Sequence, residues 1–335
     1  MNFGYREVCL DHDTGPRHPE SADRLRAIKR RLAECHDVDY VAPPDADADL
    51  VKRVHDTDYV DEFEQFCADG GGDWDADTVA VEATWDAAIA SAGIAAWAAT
   101  EALDGADGRE TPFALGRPPG HHAVEDDAMG FCFVNNVVVG AQAALEAGAD
   151  RVAIVDWDVH HGNGGQDICY DRGDIFNVSF HESGLYPGTG EIDETGEGDG
   201  DMRNLNVPFP PGTDTVGYLA AFDEVILPTL REYDPDLVLV SAGFDAHQHD
   251  PISRMRVSTE GYGLMTERLT ELVEECDAGL GFVLEGGYSL DTLADSIATV
   301  NKTIASYDPQ PPEGDVSEGA QGVIDDLLDQ GFGSK

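Results

Sequence analysis

Apolar positions recur every three to four residues over 21–34, 57–68, 79–103, 135–146, 215–231, 259–276 and 289–304, the spacing of one helical face. Between them lie short runs rich in β-branched and aliphatic residues at 111–115, 151–155, 175–179, 237–241 and 281–284. Several of these runs are apolar without alternation, as in strands covered by helices on both faces. Strands alternating with helices of this length predict βαβ units and a parallel sheet, an α/β fold class. No internal repeat is present. Residues 186–204, dense in Gly, Asp and Glu, predict a loop at a rim. Residues 308–319, with three prolines and two glycines, predict a linker to a short terminal helix near 323–328. The expected division is therefore a single catalytic domain over 1–307, followed by an acidic Pro/Gly linker and short helix over 308–335.

Charge changes the picture. The 335 residues carry 67 Asp and Glu against 20 Lys and Arg, a formal net of −47. Only Lys29, Lys52, Lys302 and Lys335 are lysines, and the acids are spread along the chain within regular helical patterns. A disordered acidic tail is thereby disfavoured. Self-repulsion of this size weakens a compact state in dilute salt. It is largely screened near 1 M salt, where the Debye length is about 3 Å. A salt-rich, halophilic cytoplasm is expected. Direct nucleic-acid binding is not, because no basic stripe offers phosphate contacts. Six cysteines without a CxxC pair predict free thiols in a reducing compartment. The small-apolar run over 87–100 is too short to span a bilayer, and no signal peptide is visible, so no membrane partner is expected.

The chemistry-bearing residues each follow a predicted strand. His121 and His122 follow 113–115, the Asp156–His161 cluster follows 151–155, Asp245 follows 237–241, and Tyr288 follows 281–284. In an open parallel sheet the carboxyl ends share one edge, where ligands bind, so four segments converge. Alone, Asp245 would more often cap a helix, the histidine doublet would more often be structural, and Tyr288 could be core packing. Together, Asp158, His160 and Asp245 form a two-carboxylate, one-imidazole set with a coordination position open, as in hydrolytic zinc sites. A metal there would bring the pKa of water to roughly 7 and polarise a carbonyl. One histidine of the doublet would take the water proton and return it to a leaving amine. Asp156 and Asn163 are candidate partners of the pair, and an aspartate raises imidazole basicity more than an amide does. The Tyr288 hydroxyl can donate to a developing oxyanion.

The strings RHPE with Arg24, RPPGHHA, GFCFVNN, DWDVHHGNG, SFHESGLYPGTG, SAGFDAH and LEGGY together resemble the histone deacetylase family, class II-like, of the arginase–deacetylase superfamily. The resemblance runs from about residue 12 to 300. It implies a single-domain arginase/deacetylase-like fold around an eight-stranded parallel sheet flanked by helices. It assigns one Zn2+, or Fe2+ in its place, to Asp158, His160 and Asp245. His122 matches the general base and acid with Asn163 behind it, and His121 the electrostatic histidine paired with Asp156. Tyr288 matches the carbonyl-polarising tyrosine. Phe131 and Tyr186 match the aromatic tunnel walls, although the second is usually phenylalanine. Gly130 matches a backbone contact to the substrate amide, and Arg24 a residue lining an acetate channel. Asp156, Asp158, His160, Ser179 and Phe180 match a structural K+ site. Asp75 is the expected acidic rim residue. Ile252 stands where polyamine-preferring relatives carry a glutamate. The implied reaction is zinc-dependent removal of acetyl groups from Nε-acetyl-lysine of proteins. An acetylpolyamine amidohydrolase is the runner-up, with a small acetylated amine as substrate. A two-manganese ureohydrolase is disfavoured because Asp156 and His161 of this chain do not supply the DAHxD pattern it needs, and a non-catalytic acetyl-lysine-binding scaffold fits the complete catalytic set poorly. The motifs leave the oligomeric state open.

Overall fold

The computed structural model describes residues 1–36, 38–105 and 110–333. Ten strands are present among them: β1 (Asn2–Gly4), β2 (Asp39–Val41), β3 (Gly71–Asp73), β4 (Val79–Val81), β5 (Phe113–Ala114), β6 (Val152–Asp156), β7 (Ile175–Glu182), β8 (Asn204–Phe209), β9 (Leu237–Ala242) and β10 (Gly279–Leu284). The helices are α1 (Asp23–Leu32), α2 (Ala48–Val51), α3 (Thr57–Ala68), α4 (Thr84–Asp104), α5 (Asn136–Ala147), α6 (Asn163–Cys169), α7 (Thr215–Ala221), α8 (Leu227–Tyr233), α9 (Thr259–Cys276), α10 (Leu290–Ile304) and α11 (Glu318–Gln330). A single turn of π-helix joins α7 to α8.

Eight strands form one parallel sheet in the order β2-β1-β5-β10-β9-β6-β7-β8. Every residue of β6, β7, β9 and β10 is buried, which is why their runs carry no alternation. Helices cover both faces. The alanine-rich α4, apolar on most of its circumference, lies against α5 and β10. The α/β fold class and eight-stranded parallel sheet are thus as expected. The strand order matters for function: β5, β10, β9 and β6 are consecutive neighbours, and these are the four strands that precede the chemistry-bearing segments.

Three differences from the sequence expectation have local causes. The helical pattern starting at residue 79 begins instead at Thr84, because Val79–Val81 pairs antiparallel with Gly71–Asp73 in a small hairpin. The Thr84 hydroxyl accepts the Val81 N–H at 2.8 Å and closes that corner. The terminal helix is longer than 323–328. It begins where the Ser317 hydroxyl accepts the Ala320 N–H and ends at Gly331 in the left-handed conformation. Its Ala320, Ile324 and Leu327 are buried in the main core cluster, beside β8. Finally, residues 204–209 form a strand that the pattern did not predict, so the expected loop over 186–204 ends one residue earlier. The last two residues of the expected 308–335 segment lie outside the described residues.

Candidate metal centre and active site

The segments after the four central strands meet at one point. Ligand atoms of Asp158, His160 and Asp245 all lie within 4.8 Å of one another. Backbone amides hold the carboxylates in place. The His160 N–H donates to Asp158 Oδ1 at 2.9 Å, Gly286 N–H to Asp158 Oδ2 at 2.8 Å, and Val159 N–H to Asp245 Oδ1 at 2.9 Å. Asp245 Oδ2 is buried and has no hydrogen-bond partner, although the His160 imidazole stands 3.4 Å away. Buried carboxylate oxygens are rarely left so, because stripping water from them is costly. Two buried aspartates face each other here with one imidazole Nδ1 between them, 2.9 Å from Asp158.

Charges in the cluster respond accordingly. Burial, then the Asp158 charge, push the Asp245 carboxyl up to about 7. Burial also opposes ionisation of Asp158, but His121 and His160 hold its carboxyl well below the usual range. Burial pulls His160 down, yet its bonds to the two aspartates win and raise it to about 10. The arrangement is short of positive charge and draws a proton to the imidazole nitrogen between the aspartates. A divalent cation with nitrogen and oxygen ligands fits that donor set.

Glycines make room for it. A Cβ on Gly243 would stand 1.9 Å from Asp158 Oδ2, and one on Gly286 2.2 Å from Asp245 Oδ2.

The histidine doublet splits into two environments. His121 Nδ1 lies 2.9 Å from Asp156 Oδ2, and His122 Nδ1 2.7 Å from Asn163 Oδ1. Burial lowers His121, but Asp156 and Asp158 more than offset it and hold the ring well above the ordinary histidine range. His122, with an amide behind it, is driven well below that range by burial and by the neighbouring His121 and His160. One ring is therefore cationic and its neighbour, at a centroid distance of 4.0 Å, is a neutral base.

Aromatic walls frame the approach. The Tyr186 ring meets His122 edge-on at 5.1 Å, and Phe131 meets Tyr288 at 6.2 Å. Gly130, at a φ of +55°, brings the chain so close that a Cβ would stand 2.5 Å from the His122 ring and 2.9 Å from that of Tyr186. Burial keeps the Tyr288 phenol protonated, well above its ordinary pKa, so it is a donor.

The remaining expected residues are spread around this centre. Arg24 lies over the Tyr288 ring at 5.2 Å and donates to the carbonyls of Gly287 (2.8 Å) and Glu285. Asp75 is half-buried and accepts the N–H groups of Asp77 and Thr78, so it shapes the mouth turn. It lines an outer cavity of about 610 Å³ with Trp74, Asp127 and Tyr186. Ile252 is half-buried, its N–H given to Asp250 at 3.1 Å. Asp156, the last residue of β6, is the register partner of Ser179 within β7, and the Ser179 hydroxyl accepts the Gly162 N–H. Phe180 is wholly buried and stacks on Tyr218 and Phe222.

Sequence reasoning missed two carboxylates. Glu285, fully buried, accepts the N–H groups of Gly120 (2.7 Å) and His121 (3.2 Å) and so holds the doublet's loop. Asp250 accepts the N–H groups of Tyr288 and Ser289. The Glu in LEGGY was the only available signal for the first; a lone Asp before Pro gave none for the second.

Comparison with known proteins places the chain in a family. Residues 18–304 match the model of the histone deacetylase domain. The chain is 37% identical to the histone deacetylase-like amidohydrolase of Pseudomonas aeruginosa, over 86% of this chain and 81% of that protein. It is similar to the crystal structure of the HDA15 HD domain, with a TM-score of 0.91 and 36% identity, covering 98% of this chain and 94% of that one. It also resembles an acetylpolyamine aminohydrolase from Burkholderia pseudomallei (TM-score 0.82, 29% identity, 91% of this chain and 99% of that one). On sequence and architecture together, the chain is a member of the histone deacetylase family.

Proposed function

We propose that this amidohydrolase removes acetyl groups from Nε-acetyl-lysine side chains of proteins, with zinc held by Asp158, His160 and Asp245. The observation that carries the proposal is the orphaned Asp245 oxygen facing Asp158 and His160, next to one neutral and one cationic histidine. Zinc in that position supplies Lewis acidity to a carbonyl and to water. Iron(II) has the same ligand preferences and is the alternative metal.

The protein's own groups divide the work. His122 is neutral, takes the proton of the attacking water and delivers it to the departing amine. His121, held cationic by Asp156, stabilises the negative charge that develops, and Tyr288 donates its hydroxyl to the same oxygen. Asn163 orients His122 without adding charge, so the base stays unprotonated near neutral pH. Phe131 and Tyr186 pack the alkyl chain, the Gly130 backbone meets the substrate amide, and Arg24 serves the acetate route. Asp75 takes hold of the substrate backbone at the rim. The carbonyls and side chains of Asp156, Asp158, His160, Ser179 and Phe180 bind a structural K+.

The apolar Ile252 at the gate favours an acyl-lysine side chain. An acetylated polyamine is the second reading, favoured by the outer cavity, which is lined by Glu62, Asp73, Asp75, Asp126 and Asp127 without a basic residue. A cytoplasm of high salt is the fitting compartment for the −47 net charge.

The test is acetate release from an acetyl-lysine peptide and from N-acetylputrescine, in molar KCl, before and after chelation and zinc return. We expect hydrolysis of the peptide that chelation abolishes and zinc restores. Activity indifferent to chelation, or none after zinc return, overturns the proposal; faster N-acetylputrescine turnover selects the second reading.

A further inference from the structure

Tyr288 follows Gly286 and Gly287, the latter at a φ of +118°, so the chain entering it has unusual conformational freedom. Gly286 is itself fixed, its N–H given to Asp158 Oδ2 at 2.8 Å and its carbonyl accepting the Phe244 N–H at 2.9 Å, so the freedom lies at Gly287. Arg24 grips the segment's carbonyls from one side. From the other, a single carboxylate oxygen, Asp250 Oδ2, accepts the Tyr288 N–H at 2.7 Å and the Ser289 N–H at 3.1 Å. The other oxygen of Asp250 accepts the Ile252 N–H at 3.1 Å. Asp250 is 7% exposed, and its own N–H is fixed to the His247 carbonyl at 2.8 Å, so the carboxylate sits on a braced turn.

We infer that Asp250 is a positioning residue for hydrolysis: one carboxylate sets both the Tyr288 phenol and the Ile252 gate, locking the oxyanion donor to the wall that admits the acyl chain. The inference rests on the proposed hydrolysis, in which Tyr288 donates to the carbonyl oxygen. Asp250 touches no reacting atom. It replaces the rigidity that Gly287 removes. A donor displaced by about 1 Å costs on the order of a hundredfold in rate, whereas the apolar grip on the alkyl chain is less sensitive to position.

The discriminating experiment is a double-mutant cycle on acetyl-lysine peptide hydrolysis by the zinc-loaded protein, with Asp250→Asn, Asp250→Ala, Tyr288→Phe and the two combinations. Hydrogen exchange of the Tyr288 and Ser289 amides is measured in parallel. We expect Asp250→Asn to lower kcat by roughly 10- to 100-fold, with KM changed by less than about threefold and zinc content unaltered. On the Tyr288→Phe background the same substitution should cost less than about twofold, because the donor it serves is gone. Exchange at Tyr288 and Ser289 should accelerate selectively. Equal losses on both backgrounds, or unchanged kcat in Asp250→Asn, overturn the inference. If Tyr288→Phe alone is fully active, the oxyanion reading itself fails, a distinct outcome. Should Asp250→Ala not fold, the asparagine variant, which keeps the volume, carries the test.

Discussion

Replacing Gly286 with alanine should weaken binding at the candidate metal centre while leaving the fold intact. Gly286 does not lie in the left-handed region, so the backbone accommodates alanine, and the cost is steric. The new methyl would lie 2.2 Å from Asp245 Oδ2 and 2.5 Å from Asp158 Oδ2. Relief requires a retreat of roughly 1 Å, against a tolerance near 0.2 Å for metal–ligand distances. Neither carboxylate can yield freely, since Asp245 Oδ1 is pinned by the Val159 N–H and Asp158 Oδ1 by that of His160. Overpacking of this kind costs about 1–3 kcal/mol, which is roughly 5- to 140-fold in affinity at 1.4 kcal/mol per decade. Zinc affinity is read by competition with a chromophoric chelator in molar KCl, with circular dichroism as a fold check. Gly322→Ala is the control: it is exposed on α11, with no atom within 4 Å of the added carbon, and should leave zinc binding unchanged. Gly243→Ala, 1.9 Å from Asp158 Oδ2, should behave like Gly286→Ala. If both glycine variants bind zinc within twofold of the parent, Asp158 and Asp245 are not metal ligands.

Asn163→Asp places a carboxylate 2.7 Å from His122 Nδ1. An opposite charge so close raises an imidazole by about 1–3 pKa units. A base must be unprotonated to act, so the acidic limb of the kcat/KM profile should move up by that amount, with rate lost first at low pH. An unmoved limb would remove His122 from the role of base. Ile324→Ala, at a fully buried position of α11, should destabilise by about 2–5 kcal/mol, measured by urea unfolding; a neutral result would make the terminal helix an accessory. Dilution from about 1 M to 0.1 M KCl widens the Debye length from about 3 to 10 Å. With a net charge of −47, Tm should fall by roughly 3 °C or more, the size of a ~2 kcal/mol loss in a chain of 335 residues. A salt-independent Tm would refute the self-repulsion argument.

How far the chain disclosed its structure depends on where each signal resides. Buried parallel strands need apolar side chains on both faces, so β6, β7, β9 and β10 were legible. β8 was not, because Asn204 and Asn206 are interior yet polar. Their amides donate to Gln166 Oε1 and to the Glu194 and Glu191 carbonyls, so burial there is met by hydrogen bonds instead of apolar side chains. Helix α6 was hidden by Gly164 and Gly165, which read as breakers but allow close approach to the Ala123 carbonyl and Asn177. β5, though only two residues long, lies within the expected run 111–115, whereas β1 and β2, of three residues each, carry no pattern to detect. The residues of the site fared better than their supports. Asp158, His160, Asp245 and the doublet are special side chains at strand ends, whereas the groups that hold them are backbone amides of Val159, His160 and Gly286, which any sequence would supply.

The acids pose the same problem at larger scale. Composition marks 67 carboxylates as one population, and screening by salt explains most of them. Among the described residues, however, Glu20, Asp156, Asp158, Glu182, Asp245, Asp250 and Glu285 are buried, and salt cannot reach those. Each needs a local answer. Glu20 meets Arg117 and Arg24, and Glu182 meets Arg254. Asp156 meets a cationic His121, while Glu285 and Asp250 accept backbone N–H groups. Asp158 and Asp245 are where these answers run out. They have one imidazole between them, one oxygen without a partner, and a carboxyl pushed up to about 7. A cation with two positive charges would balance this remainder, and the distribution of buried charge marks the candidate site for it independently of any motif.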